Sequence, residues 1–302
     1  MDNRQEVREF LTSRRAKIRP ERAGLPAGPR RRVPGLRRSE VAALADVSVE
    51  YYAKLERGNL AGVSPAVLES VARALQLDDA ERAHLLHLAR AADGSDALTR
   101  PRRRTTTRQW TPHRSLQWTL DAITAGPAFV RNGRMDILAA NPLDHAFYAD
   151  VHATPENQAN LARFQFLDPA SRRLYPDWEL FADMAVAILR TEAGRAPHDK
   201  DLHDLVGELS TRSQEFRTRW GAHNVRHHGT GTKRFHHSLV GDLTLAFEGL
   251  EMAAEPGLTL TVYTAEPGSP SEEGLRLLAS WAAAQSGRPS SARSPGAGFG
   301  EA

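Results

Sequence analysis

The sequence has 302 residues, with 40 Lys+Arg against 37 Asp+Glu, no cysteine, and 40% hydrophobic and 7% aromatic residues. The absence of cysteine excludes disulfide scaffolds, thiolate-bound zinc, iron–sulfur clusters and thiol catalysis. No apolar run reaches the ~18 residues of a membrane span, and the start at Met1 opens no apolar leader, so a soluble, cytoplasmic chain of about two domains is expected. The net charge of +3 is uneven: residues 1–110 hold 22 Lys+Arg and 14 Asp+Glu, net +8, and residues 111–302 hold 18 and 23, net −5. A basic end predicts a polyanionic partner, nucleic acid or an anionic membrane, and the mildly acidic end a separate task.

Glu6 to Ile18 has Val7, Phe10, Leu11 and Ile18 at helical spacing with arginines between them, and Pro20 ends it. Gly24 to Gly35 is interrupted by Pro or Gly every few residues and reads as a basic loop. Leu36 to Ala45 resumes helical spacing, and Asp46-Val47-Ser48 reads as a turn with Ser48 as N-cap of the next helix, Val49 to Arg57. Gly58 is the residue type expected at its left-handed C′ position. Ser64-Pro65 opens a further helix with Val67, Leu68, Val71 and Leu75 as its stripe, and a last one runs from Asp79 to Ala92.

Two short helices joined by a three-residue turn form the helix-turn-helix arrangement. Arg38 to Ser48 followed by Leu55-Glu56-Arg57-Gly58 resembles the lambda repressor-like (Xre-type) DNA-binding domain, with Asp46 where Gly is usual and Arg38 where Gln is usual. By that resemblance Val49, Glu50, Tyr51 and Lys54 face base edges: Glu50 accepts from cytosine N4, Lys54 donates to guanine and Val49 meets a thymine methyl. Arg30, Arg31, Arg32, Arg37, Arg38 and Arg57 are assigned to phosphates, which give affinity and salt dependence without sequence reading. One of Tyr51 and Tyr52 belongs to the core, because neighbouring helical positions point about 100° apart. The competing reading is an all-helical interaction domain with a solvated basic face.

These elements make residues 1–95 the DNA-binding domain, 96–112 a basic linker, 113–284 a second domain and 285–302 a Gly/Pro/Ser-rich tail expected to be disordered. In the second domain Phe129 to Leu138 reads as a hairpin, with Asn132-Gly133 supplying a type I′ turn. Helices are expected at Leu143–Tyr148, Asn157–Phe166, Trp178–Ala193, Asp199–Thr211 and Phe216–Ala222. Strands follow at Lys233–Val240, Leu243–Leu250 and Leu258–Ala265, with a final helix at Glu272–Ala284. Two strands, a helical insertion and three antiparallel strands is a PAS-like order, so the fold class is multidomain: an all-α helix-turn-helix domain plus an α+β domain with helices covering one face of a five-stranded sheet.

Pro127-Ala128-Phe129-Val130, Leu138-Ala139-Ala140-Asn141, Phe166-Leu167-Asp168-Pro169, Tyr175-Pro176-Asp177-Trp178, Gly207-Glu208-Leu209-Ser210, the Phe216-Arg217 and Trp220 pair and Tyr263 to Ser269 are together similar to the MmyB-like regulators of actinobacteria, with Ser238 where Pro is usual. That resemblance implies a sensor domain for a long-chain fatty acid or similar amphipathic molecule and no other cofactor. Candidate wall residues are Phe129, Leu138, Phe147, Phe164, Phe166, Phe181 and Trp220, most of them simply core, and candidate polar anchors are Asn141, Arg217, Trp220, His223 and His237. Arg217 has a competing role as a helix cap or partner of Glu215.

His223 and His227 have the spacing to share a metal on a helix, but Gly221 and Gly229 bracket the segment and no carboxylate or Cys joins them, so no metal site is assigned. No nucleophile elbow, phosphate loop or Gly-x-Gly-x-x-Gly appears, which disfavours an enzyme. The expectation is a regulator that binds a pseudo-palindromic operator in double-stranded DNA as a homodimer and responds to a small amphipathic ligand, without a membrane partner. Its rival is a constitutive DNA-binding scaffold whose second domain only dimerises or docks a protein.

Overall fold

The structure, a computed structural model, describes residues 3–26, 33, 35–93, 110–222 and 230–286. Arg30, Arg31 and Arg32, the linker through residue 109, His223, His227 and His228, and the tail from residue 287 lie outside the described residues.

The N-terminal part contains α1 (Asn3–Lys17), α2 (Arg38–Leu44), α3 (Val49–Glu56), α4 (Pro65–Ala74) and α5 (Asp79–Ala92). α1 begins before the expected Glu6, and the Asn3 side chain ties its first turn to the Leu88 carbonyl of α5 at 3.2 Å. The α2–α3 turn follows its residues: Asp46 takes a left-handed φ of 55°, and the Ser48 hydroxyl accepts from the Tyr51 N–H at 3.0 Å. Gly58 has φ +94°, and an added Cβ there would collide with the Arg4 backbone, so the end of α3 can lie directly on α1 only with glycine. The core joins Val7, Phe10 and Leu11 to Val41, Ala42, Tyr52, Leu55, Val71 and Leu88. Ala42 is buried where α2 packs on its neighbours, and Val47 in the turn is partly buried. Tyr52 is the core member of the tyrosine pair, and Tyr51 packs on its edge.

The C-terminal part opens with α6 (Arg114–Ala122), followed by β1 (Ala128–Asn132) and β2 (Ile137–Ala140). Then come α7 (Pro142–Phe147), α8 (Ala149–Ala153), α9 (Leu161–Leu167), α10 (Ala170–Leu174), α11 (Trp178–Arg195), α12 (Lys200–Arg212) and α13 (Gln214–Gly221). β3 (Thr230–His237), β4 (Gly241–Glu251), β5 (Leu258–Ala265) and α14 (Pro270–Ser286) complete it. All strand pairs are antiparallel, in the order β2-β1-β5-β4-β3.

Four local expectations change. The β1–β2 turn is not type I′: Asn132 and Gly133 are not left-handed, Met135 is (φ 68°), and its N–H closes a turn onto the Asn132 carbonyl at 3.1 Å. The Asn132 side-chain oxygen accepts from the N–H groups of Arg134 (2.9 Å) and Asp136 (3.0 Å), which fixes this wider loop. β3 stops at His237, so Ser238 lies in the turn before Gly241 (φ 75°) rather than in the strand. The short helices α6, α8 and α10 lack an expected counterpart, although Leu116 and Leu120 of α6 have i, i+4 spacing. α6 also covers part of the sheet's second face, packing with Val130, Leu138, Leu258 and Leu260, so Leu138 lies in this small outer core rather than against the helical layer.

Candidate DNA-binding surface and ligand cleft

The helix-turn-helix is fastened by one carboxylate. Glu56, at the end of α3, is almost fully buried and receives the Arg15 guanidinium of α1 in bidentate fashion, Nε at 2.8 Å and NH2 at 2.9 Å. Arg38, the first residue of α2, adds its Nε and NH2, both at 3.0 Å. Burial opposes ionisation of Glu56, but the hydrogen bonds from Arg15 and Arg38 outweigh it and lower its pKa. One group thus fixes the mutual angle of α1, α2 and α3, which sets how α3 is presented. Sequence reading found Glu56 as part of a motif but not its partner Arg15.

On α3, Val49 (42% exposed), Glu50 and Lys54 face outward, Tyr51 is half-buried and Arg57 is exposed just past the helix. Arg37 is exposed and caps α2, its N–H donating to Glu40 Oε2 at 2.6 Å. Arg38 is half-exposed but committed to Glu56, so its first role is to hold α2.

The two parts meet at a buried ionic junction. Arg190 of α11, with no exposed surface, donates to Glu6 Oε1 of α1 and to the Trp220 carbonyl of α13, and its guanidinium lies 4.1 Å from the Trp220 ring centroid. His84 of α5 has its Nε2 3.8 Å from Glu6 Oε1; burial lowers its pKa although Glu6 pulls the other way. A Cβ on Gly194 would stand 2.7 Å from the His84 ring, so glycine lets α11 lie against α5. Trp220, expected as a ligand anchor, therefore belongs to this junction, its ring stacked on Phe216 at 5.5 Å.

Of the other anchors, Asn141 is fully buried and its side chain is spent on the fold. Its oxygen accepts from the N–H groups of Ala128 (3.1 Å) and Asp144 (2.8 Å), and its NH2 donates to the carbonyls of Ile123 (2.6 Å) and Gly126 (2.9 Å), leaving nothing for a ligand. Arg217 is exposed and, as its competing reading had it, caps a helix, donating to Ser210 O at 3.2 Å and to Gln214. His223 lies outside the described residues.

His237 does line a cleft of ≈ 190 Å³, together with Phe147, Tyr148, Val151, Phe164, Arg173 and Leu174. Its Nδ1 accepts from Leu239 N–H at 3.2 Å, so Nε2 carries the proton and donates to the Ala146 carbonyl at 3.3 Å. Burial lowers its pKa, and it offers the cleft a neutral ring stacked on Phe147. Behind Tyr148 runs a row of buried phenols: Tyr148 Oη lies 3.2 Å from Tyr263 Oη, which accepts from Lys233 Nζ at 3.2 Å. Phe129, Phe147, Phe164 and Phe181 pack in the main core, and Phe166 at its edge. Lys233 and Arg131 were missed by sequence reading. Their signal is strand alternation, because Lys233 is two before buried Phe235 and Arg131 two after buried Phe129. Among the described residues no group of three His, Asp or Glu is arranged to hold a metal, and no helix is long and apolar enough to cross a membrane.

A family model for a helix-turn-helix domain matches residues 12–85, and one for the MmyB-like transcription regulator ligand binding domain matches residues 112–278. No curated protein matches the chain. With a helix-turn-helix ahead of that ligand-binding fold, the chain belongs to the MmyB-like transcription regulators.

Proposed function

We propose that this DNA-binding regulator is switched by a small amphipathic ligand, a fatty acid or a molecule like it, held in the domain of residues 113–284 and read through α11. The observation that carries the reading is the Arg190 junction: the helix covering the ligand domain's core is ion-paired, in the protein interior, to α1 beneath the recognition helix. A ligand that shifts α11 or α13 changes the surroundings of Glu6. It regulates only through different affinities for the two arrangements. His237 and Trp220 contribute cleft wall and junction.

The regulator acts as a homodimer on a pseudo-palindromic operator, because a single helix-turn-helix buries too little surface for high specific affinity. Val49, Glu50, Tyr51 and Lys54 read bases, and Arg30, Arg31, Arg32, Arg37 and Arg57 hold phosphates, with the free edge of Arg38 beside them. At ≈ 190 Å³ the cleft is below the ~300–1,000 Å³ of ordinary small-molecule sites, so a long acyl chain needs its aromatic wall to part. Native mass spectrometry of the full chain with lipid extraction tests the reading. A bound acyl species, or a thermal shift on adding fatty acids, supports it. Reproducible absence of both, with DNA binding intact, favours a constitutive scaffold.

A further inference from the structure

Helix α6 presents an unpartnered face on the outer side of the sheet. Leu116 and Leu120 turn inward, onto Val130, Leu258 and Leu260. On the opposite side of the helix, at i, i+4 and i+7, stand Arg114, Trp118 and Asp121, all exposed. Trp118 is 65% exposed, more than any other large apolar side chain among the described residues, and its indole makes no hydrogen bond or ring contact with them. Arg114 makes no ion pair among the described residues, and Asp121 receives only the Gln117 side-chain amide, at 2.9 Å.

The two charges also stand against the helix that carries them. Arg114 is the first residue of α6 and Asp121 lies in its last turn, where the macrodipole favours the opposite signs; the first turn holds no acidic residue and the last turn no basic one. Local helix stability therefore does not account for the arrangement, whereas a second copy of the same helix does. In antiparallel packing about a two-fold axis near Trp118, Arg114 lies ~6 Å to one side of the axis and the partner's Asp121 ~4.5 Å to that same side, so the two meet to within about 1.5 Å along the helix, at both ends. The Trp118 rings meet between the two ion pairs, and parallel packing would instead set like charges against each other. The exposed pair Leu277 and Trp281 on α14 lacks this self-complementarity, because Arg276 beside it is already paired with Glu272 and Glu273 of its own helix.

We propose that α6 is the surface through which two copies of this chain pair, antiparallel and two-fold symmetric, with Trp118 at the centre and an Arg114–Asp121 ion pair at each end. This contact rests on the reading above that the regulator is a homodimer. Leu250 (52% exposed) extends the apolar surface on the same side of the sheet, since it pairs in register with Leu260, which packs against α6. One short helix per copy buries less than the ~1,200 Å² of a standard interface, so association in solution is weak and concentration-dependent. Two half-sites on one DNA molecule strengthen it by raising the effective concentration of one copy at the other.

The test is sedimentation velocity on the full chain without DNA, across protein concentrations, for the natural sequence, Trp118→Ser, Arg114→Asp and the charge swap Arg114→Asp with Asp121→Arg. The natural sequence passes from monomer to dimer as concentration rises. Trp118→Ser and Arg114→Asp each raise the dimer dissociation constant by about 10-fold or more. The swap brings it back to within about threefold of the natural value, which a variant that had merely lost α6 would not do. It also sets each charge where the macrodipole favours it, so the swapped protein melts no lower than the natural one. A dimer unaffected by Trp118→Ser, or one weakened by Arg114→Asp that the swap fails to restore, overturns the α6 contact and leaves the homodimer reading standing. A natural sequence that stays monomeric at every concentration removes the contact and that reading together.

Discussion

Asp144 gives the most quantitative expectation. It has no exposed surface, its Oδ1 has no hydrogen-bond partner among the described residues, and its Oδ2 lies 3.4 Å from His152 Nε2. Burial raises its pKa from 3.8 to about 6, with His152 pulling the other way. A carboxyl raised in the folded state contributes stability below its unfolded pKa, and that contribution is lost as pH rises through about 6. At ~1.4 kcal/mol per pH unit, the ionised side chain costs the fold about 3 kcal/mol at neutral pH and above. Asp144→Asn keeps the shape of the protonated acid without the charge. It should stabilise the ligand domain by up to about 3 kcal/mol near pH 8, or roughly 6–12 °C in melting temperature for a domain of this size. The gain should fall to about half near about pH 5, and it approaches zero only below the unfolded value of 3.8, where the side chain is protonated in the unfolded chain as well. Urea unfolding followed by circular dichroism at both pH values measures this. A variant that is less stable near pH 8, or a gain independent of pH, would refute the reasoning.

The remaining predictions concern the helix-turn-helix and the junction. Glu56→Ala takes the carboxylate from the partly buried Arg15 and should cost the N-terminal part about 3 kcal/mol. Because the pKa of Glu56 is lowered, its contribution in the natural protein is present above the unfolded carboxylate pKa and lost as pH falls through the folded one, so the gap between the two proteins should close in acid. Arg190→Met removes the Glu6 partner, and His84 then takes a proton to replace it. The variant should lose more stability near pH 8 than near pH 5.5, and equal losses at about those two values would contradict the role given to His84. Lys54→Ala should cost about 1–3 kcal/mol at one operator position and little elsewhere, and a uniform loss across sequences would remove Lys54 from base reading. Arg57→Ala should weaken binding to all sequences alike and reduce the salt slope by about one, measured by titrations across salt concentrations.

Much of the fold was legible because its signals are local. Ser48, Asp46 and Gly58 act within a few residues of themselves, through a side-chain cap and two backbone conformations that their residue types tolerate. The apolar spacing of the helices and the alternation in β5 needed only a window of ten or so residues, and the charge split of +8 against −5 needed only counting. The site was less legible. Asn141 reads as a polar residue near a cavity, yet four backbone groups from α7, β1 and the loop before it use its whole amide, and only packing reveals that. Trp220 reads as an aromatic wall, yet it stacks on an arginine whose partner Glu6 is 184 residues away.

Sequence by itself determined the helix-turn-helix, the order of the five strands and longer helices and the kind of domain they build, but not the short helices α6, α8 and α10, because turn chemistry and periodicity depend on covalent neighbours and need a window of several residues. Tertiary structure decided which charges meet. Glu56 finds Arg15 and Glu6 finds Arg190, because pairing in a protein interior is set by which elements come within a few ångströms of each other.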